Sequence, residues 1–374
     1  MQQSNHSSLE PKLSTFTINH AYFGTHFMRI ARSQCIIVIF LLQLMLTSST
    51  IVVSQSKPLV VASASIFQDM AIQIGGEYVD VRTIVPIGGD PHLYEPTPSD
   101  AQLVQKSNLI LINGLTFEGW IAELIANSGT KAQTVRITED IIPIASDLHA
   151  GATDPHAWMT ASNGLIYIKN IYNALKTVVD EKNWPQLEKN YEAYKLQLEE
   201  LDQYIFKKIK EIPEGQRILV TSHDAFNYYG SRYGLTLSAV MGISTESDAQ
   251  TADMKRVIDN IVTHKIPAIF IETTINPKLI KQIAEDHHVK IGGELYADSI
   301  GPEGSSGESY IKMLKSNTNT IVAALAGISV EKTKLDNDTS GLNFSVMAGI
   351  ILFLLATIIY MIRKLDHAQT NKAS

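Results

Sequence analysis

The sequence predicts an α/β protein of two lobes, each a mostly parallel sheet with flanking helices, joined by one long rigid interlobe helix and followed by a C-terminal transmembrane helix. Three observations carry that expectation. Short apolar runs of strand length alternate with helix-like stretches on either side of the middle of the chain, the pattern of parallel sheets covered by crossover helices. A single apolar stripe separates the two halves. Near the end stand 19 uncharged residues, Phe344 to Ile362, closed by Arg363-Lys364.

In the first half the strand-like runs are Leu59-Val60-Val61-Ala62, Val79 to Val85, Leu109 to Ile112 and Val135-Arg136-Ile137. Between them lie the helical stretches Ile66 to Ile74 and Ser99 to Lys106, with Ser99 placed like an N-cap before Asp100. The second half repeats the rhythm with Ile218 to Thr221, Leu235 to Ala239, Ala268 to Ile271 and Val289-Lys290-Ile291, and with helices over Ala252 to His264 and Pro277 to Asp286. The stripe between the halves is Leu187, Tyr191, Tyr194, Leu198, Leu201 and Ile205, stepping by three and four as a helix face requires. Pro185 suits the first turn and Pro213 stops the helix. At 1.5 Å per residue such a helix runs about 40 Å, a rod between lobes.

The chain has 374 residues and a net charge of −7, with 45% hydrophobic and 18% charged residues. That composition packs a core, and its mild acidity excludes a dedicated nucleic-acid binder, which needs a basic face. One cysteine, Cys35, against 11 histidines turns any metal site toward nitrogen and oxygen ligands and rules out an intramolecular disulfide.

The ends suggest export. Cys35 to Leu46 is an apolar run too short to span a bilayer, preceded by Arg29 and Arg32 and followed by Thr47-Ser48-Ser49-Thr50. This reads as a secretory signal, with Met28 where such a signal would begin and a cut before Gln55. Cys35 opens the apolar run instead of following it, which argues against lipidation there. The expected organisation is a leader over 1–56, lobes over 57–184 and 213–328, the interlobe helix over 185–212, a linker over 329–341, a transmembrane helix over 342–364 and a cytoplasmic tail over 365–374. The binding lobes then lie outside the membrane, since the basic residues follow the apolar run.

Four segments carry metal-type side chains. Pro86-Ile87-Gly88-Gly89-Asp90-Pro91-His92 follows the second strand, and Asp154-Pro155-His156-Ala157-Trp158 repeats its tripeptide. Ser222-His223-Asp224-Ala225-Phe226 follows Thr221, and Gly292-Gly293-Glu294-Leu295-Tyr296-Ala297-Asp298 follows Ile291. Ligands in open α/β folds bind beyond the carboxyl ends of strands, where His92, His223 and Asp298 fall, with His156 in a loop able to meet them. Three imidazoles and a carboxylate fill a four-coordinate shell for a divalent first-row ion. Asp90, Asp154, Asp224 and Glu272 are candidate acceptors for the second ring nitrogens. His149 is an auxiliary metal-catching candidate; His264 reads as an ordinary hydrogen-bonded structural residue, and His287-His288 mark a solvated helix end. Because a ligating imidazole must be neutral, affinity is expected to fall as pH drops through about 6.

From about Lys57 to Gly327 the chain resembles the zinc- and manganese-binding solute receptors of ABC importers, the TroA-like solute-binding protein family 9. The motifs are Gly-Asp-Pro-His92 with Tyr-Glu-Pro, Asp-Pro-His156-x-Trp, Val-Thr-Ser-His223-Asp-Ala-Phe and Gly-Gly-Glu-Leu-Tyr-Ala-Asp298-Ser, in the family's order around its interlobe helix. The resemblance implies that His92, His156, His223 and Asp298 ligate a transported Zn2+ (or Mn2+) in the interlobe cleft. It implies delivery to a membrane permease with a cytoplasmic ATPase, no catalysis, and a monomer. His223 stands where manganese-leaning members carry Glu, which favours zinc, whereas the long histidine-rich loop common in zinc-specific members is reduced to the segment around His149. Two other readings of the same residues are a zinc-dependent hydrolase and a metal-stabilised surface adhesin. No His-Glu-x-x-His segment supports the first.

Overall fold

The computed structural model describes residues 56–145, 153–246 and 249–327. In the first lobe, β1 (Leu59–Ala62), β2 (Asp80–Thr83), β3 (Leu109–Ile112) and β4 (Gln133–Arg136) form one parallel sheet in the order β2-β1-β3-β4. Helices α1 (Ser65–Gly75), α2 (Pro98–Lys106) and α3 (Ile121–Ser128) make the crossovers, and α4 (Ala161–Leu175) follows the sheet. Parallel strands need such covering helices, and their residues are apolar on both faces: Val60, Val61, Leu109, Ile110 and Leu111 are fully buried.

The N-cap of α2 is Thr97, not Ser99. Thr97 and Asp100 cap each other reciprocally, and Pro98 occupies the first turn. The Pro98 ring is pre-set for that turn, so the helix begins one residue before Ser99.

In the second lobe, β5 (Ile218–Thr221) pairs with β6 (Thr236–Ala239), and β7 (Ala268–Glu272) with β8 (Lys290–Leu295), all parallel. The expected single sheet is therefore two short ladders; β5 lies beside β7 without joining its ladder. A register shift between Ile269 and Phe270 leaves Gly292 as the extra residue on β8. A Cβ there would sit 2.6 Å from the Phe270 ring and 2.8 Å from Ala324 on α9 (Tyr310–Leu325), so only glycine admits this close approach. Helices α6 (Asn227–Tyr233), α7 (Thr251–His264) and α8 (Lys278–Asp286) complete the lobe.

The rod is α5, Trp184–Ile209, 26 residues long. Leu187, Tyr194, Leu198, Leu201, Ile205 and Ile209 are buried along it. It packs on α1 and α4 of the first lobe and on α9 of the second, and one apolar core runs from Val60 to Leu325 through it. Arg232 on α6 donates to both carboxylate oxygens of Asp202, at 2.7 and 2.5 Å, fixing the second lobe to the rod. Helices α3, α4, α6 and α9 are not among the elements read from the sequence. In α9 the run Ser316-Asn317-Thr318-Asn319-Thr320 has low helical propensity, yet Asn317 and Thr318 are fully buried and the helix forms by packing.

The expected transmembrane helix is corrected. Among the described residues no helix is long and apolar enough to cross a membrane. The longest, α5, alternates its buried stripe with Glu188, Lys189, Glu192 and Lys195, which hydrocarbon would not accept. An uncharged run is a statement about composition, and a span needs a continuous helix to satisfy its backbone. The segment 342–364 lies outside the described residues, as do residues 1–55 of the leader expected over 1–56, His149 and the linker.

Candidate metal centre

The four predicted side chains meet. His92, His156, His223 and Asp298 are all buried, and each offers one donor atom within 4.8 Å of the others. The His156 Nε2 lies 3.3 Å from His92 Nε2 and 3.4 Å from His223 Nε2. Asp298 sets Oδ1 3.4 Å from His156 Nε2 and Oδ2 3.3 Å from His223 Nε2.

Each ligand reaches this point by a different local device. His223 comes two residues past the end of β5, and its backbone N–H donates to Glu272 Oε1 at the end of β7, 2.9 Å away. Asp298 comes three residues past β8. His92 sits in the loop after β2, where its N–H donates to Asp90 Oδ1 at 2.9 Å. His156 repeats that turn, its N–H donating to Asp154 Oδ1 at 2.8 Å. The two Asp-Pro-His segments are thus the same Asx turn, with the aspartate folding back on the histidine two residues on.

The second ring nitrogens find two of the four expected acceptors. His156 Nδ1 lies 2.8 Å from Asp154 Oδ1. His223 Nδ1 lies 2.5 Å from Glu272 Oε2, an ion-pair distance without the direction of a hydrogen bond. Each carboxylate fixes its imidazole so that Nε2 faces the cage. Asp90 and Asp224 do not take this role: Asp90 binds backbone and Thr245, and Asp224 bonds Asn227.

Outside the cage neither oxygen of Asp298 receives a hydrogen bond, although the residue is 1% exposed. Burial by itself would raise this carboxyl, but His223 and His156 together hold it well below the usual carboxylate range. A buried carboxylate with no donor is costly unless a cation faces it. The imidazoles divide. Burial foremost, opposed by Asp298 and aided by the neighbouring rings, lowers His92 to about 3. For His156 burial is overridden by Asp154 and Asp298, which raise it to about 9; Glu272 and Asp298 likewise raise His223 well above its ordinary value. Protons on His156 and His223 therefore occupy the place a cation would take.

Metal uptake near neutral pH must expel those protons. We expect about two protons released per ion at pH 7, and affinity that climbs with pH toward about 9 instead of levelling above 6. Calorimetry in buffers of different ionisation enthalpy measures the release; affinity flat from pH 5 to 9 would contradict it. The metal-free protein responds oppositely through His156. With a folded value near 9 against about 6.5 unfolded, its contribution to stability is full below 6.5 and fades as pH rises through 9.

Residues that the sequence did not single out support the cage. Asn113, just past β3, donates through Nδ2 to Pro155 O at 3.0 Å and accepts from Tyr167 at 2.5 Å. Glu118 accepts from Ser63 and from the Asn113 and Gly114 N–H groups. Phe117 lies edge-on to His92, with ring centres 5.1 Å apart. The available signal was position, directly beyond the carboxyl end of a parallel strand. Trp158 spans the cleft, packing 5.2 Å from the His156 ring and donating Nε1 to Ala297 O at 2.9 Å.

Two α/β lobes bridged by a rigid helix, with polar side chains converging in the cleft, define a substrate-binding protein of the ABC-importer type. The chain belongs to the family described as "ZnuA: Zinc-uptake complex component A periplasmic", whose model matches residues 60–324. It is 36% identical over 268 residues to the manganese-binding lipoprotein MntA of Halalkalibacterium halodurans, covering 71% of this chain and 88% of the relative. It is 34% identical over 275 residues to the metal ABC transporter substrate-binding lipoprotein FimA of Streptococcus parasanguinis, covering 71% and 89%. Among solved structures it is similar to the periplasmic zinc-binding protein TroA of Treponema pallidum, with a TM-score of 0.69, 33% identity, and coverage of 72% and 99%. Members of this family are receptors, not enzymes, so the hydrolase reading falls. The adhesin reading and the helical membrane anchor gain no support from these relatives, two of which are named lipoproteins.

Proposed function

We propose that His92, His156, His223 and Asp298 capture a divalent transition-metal ion outside the cytoplasm and that the protein hands it to an ABC permease driven by a cytoplasmic ATPase. The observation that carries this is the spacing of the donors. Zinc bonds of 2.0–2.1 Å in a tetrahedron place neighbouring donors about 3.3 Å apart. His156 Nε2 lies 3.3–3.4 Å from His92 Nε2, His223 Nε2 and Asp298 Oδ1, and His223 Nε2 lies 3.3 Å from Asp298 Oδ2, while the four donors as a set stay within 4.8 Å of one another. Three imidazoles and one carboxylate favour zinc over manganese on ligand chemistry and on the general affinity order.

Manganese is the second reading. Both oxygens of Asp298 turn into the cage with no partner outside it, which would allow a higher coordination number, and several relatives, MntA among them, are named for manganese. Metal analysis of the purified protein, followed by competition between the two ions against a chelator, tests the choice. We expect zinc to displace manganese at equal concentration. Preferential retention of manganese would reverse the assignment, and no uptake of either ion would remove the function.

A further inference from the structure

His92 differs from its three partners in how it is held. It is 7% exposed, whereas His156, His223 and Asp298 are at most 1% exposed. Its loop is tied to the second lobe at two points. Gly88 N–H donates to Ser299 Oγ at 2.7 Å, and Ser299 is buried, 3.0 Å from Ser65 Oγ and donating to Ile300 O. At the other point Thr245 Oγ1 donates to Asp90 Oδ2 at 2.7 Å. The remaining oxygen, Asp90 Oδ1, accepts the His92 N–H. One carboxylate therefore grips the backbone of His92 and the connection between β6 and α7 together.

The two ties are unequal. Ser299 is rooted in the core beside Asp298. Thr245 is only half-buried and borders a cavity of about 260 Å³ that Asp90, Ser222, Met241 and Thr274 also line. The common core through α5 restrains a large hinge motion, so opening must come from smaller parts. Of the four side chains His92 is the most exposed, and Thr245 is the more exposed of the two ties that hold its loop to the second lobe, while Trp120 Nε1, donating to Pro91 O at 2.8 Å, keeps the loop on the first lobe.

We propose that the Thr245–Asp90 hydrogen bond is a clasp that sets the rate of ion release, with Thr245 acting as a positioning residue on His92 through Asp90. The ion then departs on the Thr245 side of the cleft. This rests on the four-donor cage being the ion site. A hydrogen bond to an ionised carboxylate is worth roughly a factor of ten or more in an equilibrium.

The test is release of Zn2+ from the full-length protein into an excess of chelator, followed by stopped flow. Thr245→Val keeps the side-chain shape and removes the hydroxyl; it should release zinc roughly ten times faster, with the association rate unchanged and the metal-free protein still folded. Thr245→Ala should behave as Thr245→Val does, and Thr245→Ser should restore slow release. Ser299→Ala should lower the melting temperature instead. Wild-type release from both Thr245→Val and Thr245→Ala, or fast release from Thr245→Ser, would overturn the clasp while leaving the cage intact. Failure of the wild type to take up zinc would overturn the cage and the clasp with it.

Discussion

Replacing His223 with alanine is expected to weaken zinc binding a hundred- to a thousandfold. A structural zinc site is worth about 10–16 kcal/mol at neutral pH, so one of four ligands carries about 3–4 kcal/mol, or two to three decades. His223 is fully buried and its imidazole stands between Glu272 and Asp298. Alanine leaves those carboxylates facing one another with no cation between, which adds a stability cost when metal is absent. Chelator competition gives the affinity and thermal unfolding gives the stability. Unchanged zinc affinity in this variant would take His223 out of the cage.

Trp158→Ala is expected to destabilise the protein by about 3–5 kcal/mol, the range for emptying a buried aromatic site. The indole is fully buried and packs against Phe67, Phe117 and His156. It also carries the hydrogen bond to Ala297 O, so its loss frees the Asp298 turn from the His156 turn. Trp158→Phe separates the two effects: most of the packing returns, while the cleft-spanning bond does not. Denaturant unfolding of both variants measures this. A midpoint in Trp158→Ala equal to that of the wild type would show that the ring does not hold the cleft together.

Much of this architecture is legible in the amino-acid order because it rests on local rules. Hydrophobic runs bounded by turns mark β1, β3, β5 and β7, and the spacing from Leu187 to Ile205 marks the rod, since both periodicities follow from backbone geometry. The metal-type residues were legible for a related reason. Each lies just beyond a strand or in an Asp-Pro-His turn, and such turns have their own sequence signature.

Other features were illegible because no local rule encodes them. Helix α9 carries the loop-like run Ser316 to Thr320 and is a helix through it because its buried face meets α5 and β8. Nothing in the sequence around Gly292 shows why a side chain is excluded there; the bulge in β8 and the contact with Phe270 do.

The sequence by itself determined the strands and their order along the chain, the rod between the lobes and the identity of the four converging side chains. Only the tertiary structure decided that Asp154 and Glu272, and not Asp90 or Asp224, stand behind the imidazoles, and that Asp90 instead joins His92 to Thr245. The reason is physical. Helix and strand periodicity act over a few residues, whereas the partner of a buried charge is whichever group the packing brings within about 3 Å, from any distance along the chain.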